Sequence, residues 1–181
     1  MDIMHMLVSR IGFSMLVMAL AGNAQAATSA GQITTSMTLS SSCEINGAPG
    51  GVTGVDFGVL DFGTTGSLFT TANGAVLAGG GGALSILCSS GTLPTVTVGA
   101  GANDGGSVGG TRALADGSGN FVPYDLYTDT GRTQVLAIDG VIALEESTGV
   151  AQTVNIYGKA VGKAGLPAGT YSDAVAVVLT F

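Results

Sequence analysis

Few residues in this chain combine a reactive side chain with a useful spacing. Asp129-Thr130-Gly131 spells the triplet that carries the carboxylate of aspartic proteases. That reaction needs two such carboxylates sharing a proton, and the triplet occurs once. The Tyr127-Thr128 lead-in suits a turn at a strand end. Glu145-Glu146 offers two acids to a glycosidase, but neighbours on a strand point to opposite faces. A solvated hairpin edge is the plainer reading. Asp56-Phe57-Gly58 and Asp61-Phe62-Gly63 resemble a kinase triplet with no other kinase motif beside them. They read as strand residues followed by glycine at a bend. Asp104, Asp116 and Asn120 carry oxygens suited to calcium, but without the EF-hand spacing, so solvated turns are expected. Lys159 and Lys163 each precede Ala, which rules out a Walker phosphate loop. No catalytic, cofactor or metal set emerges, and the chain is read as not an enzyme.

The front of the chain sharpens that reading. Residues 1–10 end in Arg10, residues 11–22 are apolar and uncharged, and Ala24-Gln25-Ala26 has the small-x-small form of a secretory cleavage signal. Residues 1–26 are therefore expected to be a signal peptide. About twelve apolar residues are too few to cross a ~30 Å hydrocarbon layer as a helix. The only His, His5, would leave with the leader. Ser-His-Asp and Cys-His catalysis and His-ligated zinc would go with it. The two cysteines, Cys43 and Cys88, lie in the exported part. An even count in an oxidising compartment reads as a disulfide, the alternative being two buried thiols.

Composition narrows the partners. Charged residues are 9% of 181, and the net charge is −7, which gives no electrostatic case for nucleic acid or anionic lipid. Hydrophobic content of 46% is too high for a disordered chain. Gly numbers 31 without a collagen-like period, which points to turns between short strands.

The elements follow the same pattern. Residues 32–39 alternate, with Ile33, Thr35, Met37 and Leu39 on one side and polar residues on the other, as in a half-buried strand. Residues 46–54 read as a loop. Residues 55–62 alternate loosely, with Val55, Phe57, Val59 and then Asp61 on one side. Strands are expected at 68–71, 83–88, 94–98, 121–127 and 150–157, and an exposed loop at 99–110. Pro123 suggests an edge strand or a strand start. Asp139-Gly140 between 134–138 and 141–145 is a two-residue hairpin signal. The closing stretch, 170–181, is apolar on both sides and is expected to be buried. No segment after residue 26 keeps a helical period, so the fold expected is an all-β sandwich.

Several pieces together resemble the spore coat protein U family, which includes pilins of archaic chaperone–usher fibres. They are Gly31-Gln32 opening the alternating arm, Cys43 twelve residues after that Gly, Val55-Asp56-Phe57-Gly58 and Leu87-Cys88-Ser89. Tyr124-Asp125-Leu126-Tyr127-Thr128-Asp129, Ile156-Tyr157-Gly158-Lys159 and Gly169-Thr170-Tyr171-Ser172-Asp173 follow, before an apolar strand with a terminal aromatic. The resemblance implies an incomplete immunoglobulin-like β-sandwich completed by donor-strand exchange. It implies a donor arm and tether at 27–42 and a pilin-like body at 43–181. Ile33, Thr35, Met37 and Leu39 would be the donor residues, and Val175, Val177, Leu179 and Phe181 the strand bordering the groove. The implied partners are a periplasmic chaperone, an outer-membrane usher and copies of the chain or sister subunits. The implied destination is a cell-surface pilus serving adhesion or biofilm formation, with no membrane insertion once the leader is gone. The other class kept open is a self-contained secreted coat or binding domain.

Overall fold

A computed structural model describes residues 27–181. The expected signal peptide, residues 1–26, lies outside the described residues. The chain divides into two units, Met1–Thr38 and Leu39–Phe181. In the first, residues 27–38 form no strand and are exposed.

The second unit is all-β. Its strands are β1 (Cys43–Ile45), β2 (Ala48–Pro49), β3 (Val59–Leu60), β4 (Thr71–Leu77), β5 (Leu84–Cys88), β6 (Thr95–Gly101) and β7 (Arg112–Ala115). They continue with β8 (Phe121–Tyr127), β9 (Val135–Leu136), β10 (Gly140–Ala143), β11 (Gln152–Val154), β12 (Tyr157–Val161) and β13 (Val175–Thr180). Three sheets result, ordered β11-β5-β1-β2, β10-β6-β13 and β3-β4-β12-β8-β7, with β9 added to β8. Every ladder is antiparallel.

Alternation makes the core. Leu84, Ile86 and Cys88 point inward from β5, and Val96 and Val98 from β6. They meet Val122, Tyr124 and Leu126 of β8, with Val154, Ile156 and Ala160 beside them. The segment leading into β13 runs from one sheet to another. Ser172 exchanges two backbone bonds with Ala115 beside the six-stranded sheet, and β13 then pairs with β6.

Several expectations need correction. The strand expected at 68–71 is displaced: β4 starts at Thr71 and runs on to Leu77, and Leu68 is exposed. The 134–145 region is not a hairpin. Gly140 N–H does bond to Ala137 O at 3.0 Å, so the turn exists. It sends β9 to β8 and β10 to β6, in different sheets. Likewise, 150–157 splits into β11 and the start of β12, again in different sheets. The closing strand is not buried on both sides. Val175, Val177 and Leu179 are half-buried, but Val178 is 58% exposed. β8 is an interior strand, and Pro123 is tolerated because the ladder with β12 begins one residue later, at Tyr124.

Candidate functional site: an open furrow beside the last strand

The sequence around Asp56 builds one wall of a furrow. The Asp56 carboxylate accepts Gly58 N–H at 2.8 Å, and the Asp61 carboxylate accepts Gly63 N–H at 2.7 Å. Both kinase-like triplets are therefore side-chain-capped bends. Gly58 has φ +115°, open only to glycine at no steric cost, and a Cβ there would sit 2.5 Å from Leu77 O. This bend shifts the alternation by one residue. Val55 and Phe57 face inward before it, and Leu60 and Phe62 after it. Val59 and Asp61 turn outward, against the simple alternation expected for 55–62. Leu60 and Phe62 reach in over Gly158, and Leu60 and the Asp61 backbone over its ladder partner Gly74.

The opposite wall is β13. Val175 and Val177 line the furrow, and Val98, Tyr124, Leu126 and Ile156 are among the residues forming its floor. The furrow holds about 450 Å³ and is mainly apolar. β13 pairs with β6 along one edge, and its other edge has no ladder partner among the described residues. Leu179 belongs to the same inward face. Phe181 lies past the strand end and is 40% exposed.

The expected disulfide is present. Cys43 and Cys88 are register partners on β1 and β5 and are bonded. Immediately before it, Ser42 N–H donates to Ser89 Oγ at 3.0 Å and Ser89 N–H to Ser42 O at 2.9 Å. The chain is thus fixed from residue 42 onward. Ahead of that point, Ile33, Met37 and Leu39 are 91%, 80% and 85% exposed, and Thr35 is exposed as well.

The residues with catalytic text have structural work. Asp129 accepts the Gln134 amide and then the Thr133 hydroxyl and amide, and these bonds, the Gln134 amide foremost, hold its carboxyl below the usual carboxylate range. Asp116 is lowered by the Asn120 side chain and then by the Ser118 amide. Among the described residues, no group of three His, Cys, Asp or Glu could hold a metal.

Sequence reasoning missed a buried polar cluster, of which Tyr124 and Asp173 line the furrow. Arg112 is fully buried. It donates to Leu136 O at 3.1 Å and Gly99 O at 2.9 Å, and to Val98 O and Ala137 O at 3.3 Å each. Its Nε has no partner among the described residues. Tyr124 O–H donates to Asp173 Oδ2 at 2.7 Å. Burial, and then that bond and the Asp173 charge, push the Tyr124 phenol well up. The one available signal was an arginine beside Gly-rich text, on the short strand β7, where no strand was expected.

An all-β body with an apolar furrow along one unpaired strand edge, preceded by an exposed alternating segment, defines a class of sandwich proteins. The Spore Coat Protein U domain model matches residues 28–178. The chain belongs to that family. No curated protein matches it. Among solved structures, it is similar to a chain of the chaperone–tip adhesion subunit pre-assembly complex from the archaic chaperone-usher Csu pili of Acinetobacter baumannii. Identity is 21% and the TM-score 0.48, over 80% of this chain and 40% of that one.

Proposed function

We propose that the chain is a structural subunit of a chaperone–usher surface pilus and polymerises by donor-strand exchange. Residues 43–181 are the body, and residues 27–42 are the arm and tether. Ile33, Thr35, Met37 and Leu39 of one copy occupy the furrow of the next, beside Val175, Val177 and Leu179. A periplasmic chaperone fills the same furrow beforehand, and an outer-membrane usher presides over the exchange. The assembled fibre stands on the cell surface and serves adhesion or biofilm formation.

The observation that carries this reading is the unpaired edge of β13 over an apolar furrow. Such an edge is a template for another strand, and strand addition is a general recognition mode. Burying Ile33, Met37 and Leu39 would contribute about 1.5–3 kcal/mol each, before costs. Each ladder hydrogen bond would add roughly 0.5–1.5 kcal/mol net. Against a domain stability of ~5–15 kcal/mol, filling the furrow is a large effect.

Deleting residues 31–39 tests the assignment. The shortened chain should still pair with its chaperone, and surface fibres seen by electron microscopy should not grow. Normal polymers from that deletion would end the reading. A full-length monomer that is soluble and denaturant-resistant without chaperone, and whose denaturation midpoint falls on the deletion, would instead mark a self-contained coat or binding domain with its arm docked internally.

A further inference from the structure

An apolar slot open to water tends to close on itself, because closure hides its lining. A slot that must accept a strand gains if its width is set beforehand. The body contains a device suited to that. Arg112 begins β7, in the six-stranded sheet. Two of its acceptors, Val98 O and Gly99 O, lie on β6, the ladder partner of β13 among the described residues. The other two, Leu136 O and Ala137 O, belong to β9 and the residue after it. One buried side chain thus ties the six-stranded sheet to the strand that supports the furrow wall.

A second tie sits where β13 begins. Asp173 accepts Tyr124 O–H at 2.7 Å, Asn103 N–H at 3.2 Å and Asn103 Nδ2 at 3.1 Å. Tyr124 lies on β8 in the furrow floor, and Asp173 lies at its margin. Both ties are made wholly within residues 98–173, with no group from residues 27–42. We propose that Arg112 and the Tyr124–Asp173 pair are positioning residues that hold the furrow open at strand width before any strand enters.

This rests on the donor-strand reading, and the experiment separates the two. The full chain carrying Ile33→Asp and Met37→Asp has a silenced arm and an accessible furrow. A fluorescent peptide of residues 31–42 is mixed with it, and association and dissociation rates are measured separately. Interface changes ordinarily act on dissociation. A pre-set width acts on association instead.

Tyr124→Phe removes one hydroxyl and keeps the ring. It should slow association about two- to tenfold, the effect of one hydrogen bond, and leave dissociation unchanged. Arg112→Met should slow association further, and Arg112→Lys should recover part of the loss. If Arg112→Met does not fold, Tyr124→Phe alone decides. Unchanged association in Tyr124→Phe, or dissociation rising by as much as association falls, overturns the proposal. Failure of the silenced parent to bind the peptide at all overturns the donor-strand reading, and the pre-set furrow falls with it.

Discussion

Cys43 and Cys88 sit opposite each other on adjacent strands and close a loop with a sequence separation of 45. On the chain-entropy account, a loop of that length stabilises the fold by about 4 kcal/mol. The double variant Cys43→Ser/Cys88→Ser should lose roughly that much in urea titration, with the midpoint falling and the strands retained by circular dichroism. Tyr124 makes a separate prediction at alkaline pH. Its phenol is raised above the ordinary value of 10.0, so the folded form holds its proton longer than the unfolded form. The stability this contributes is complete below pH 10 and is lost as pH rises beyond it. The parent should therefore lose stability between pH 10 and 12 more steeply than Tyr124→Phe, by up to about 1.4 kcal/mol per pH unit. Equal slopes would show that the Tyr124 phenol is neither buried nor bonded to Asp173 in solution. Asp129 has the opposite sign. Its lowered carboxyl keeps the Gln134 and Thr133 amides bonded until the pH falls through its depressed value, where the hydrogen-exchange protection of those two amides, relative to the free peptide at the same pH, should be lost.

At the scale of elements, the glycines decide what fits where. Leu60 and Phe62 lie over the paired Gly74 and Gly158. A Cβ on Gly158 would meet Leu60 Cδ2 at 2.6 Å and Phe62 Cζ at 2.9 Å, both at the ends of side chains that can move. On Gly74 it would meet the Asp61 carbonyl oxygen at 2.6 Å, which is backbone. Gly158→Ala should cost about 1–3 kcal/mol by overpacking. Gly74→Ala should cost more and should displace the furrow wall, so its denaturation midpoint should fall further. These two positions also show what the sequence can convey. Leu84, Ile86 and Cys88 alternate cleanly, and β5 was legible almost to the residue because one face is wholly buried. Val55–Phe57 and Leu60–Phe62 were not, because Gly58 slips the phase by one and only its dihedral records that. Asn46-Gly47, with φ +52° and +80°, closes a two-residue hairpin between β1 and β2 that loop-like composition concealed. Asp139-Gly140 signalled a turn correctly and the pairing wrongly, since a turn fixes direction and not the sheet that receives the next strand. The last strand was legible as a strand, but its apolar residues on both sides did not reveal that one edge stays open; its place beside a groove came only with the family resemblance. The Arg112 clamp was not legible, because its partners are carbonyl oxygens scattered over about forty residues of chain, and backbone acceptors carry no sequence signal.

At the scale of the whole molecule, the proposed donor-strand exchange would put donor and acceptor functions on different parts of one chain. The contact between copies is then heterologous, and such contacts grow open fibres unless the rotation closes a ring. That polarity is testable by mixing. A copy with Ile33→Asp and Met37→Asp can accept an arm but cannot supply one, because a carboxylate carried into an apolar furrow is strongly unfavourable. It therefore ends a fibre at one side only. Co-expressed with the parent, it should shorten fibres in proportion to its share, and roughly one such copy per ten should limit fibres to about ten subunits if incorporation is unbiased. A copy with Val177→Asp, which spoils the furrow wall, should end fibres at the other side. The two defective copies together, with no parent present, should give no species longer than a dimer. Electron microscopy of sheared material measures the lengths, and gel filtration measures the dimer. Fibre length independent of the mixing ratio would mean that assembly proceeds through some other surface, with the β13 edge a bystander.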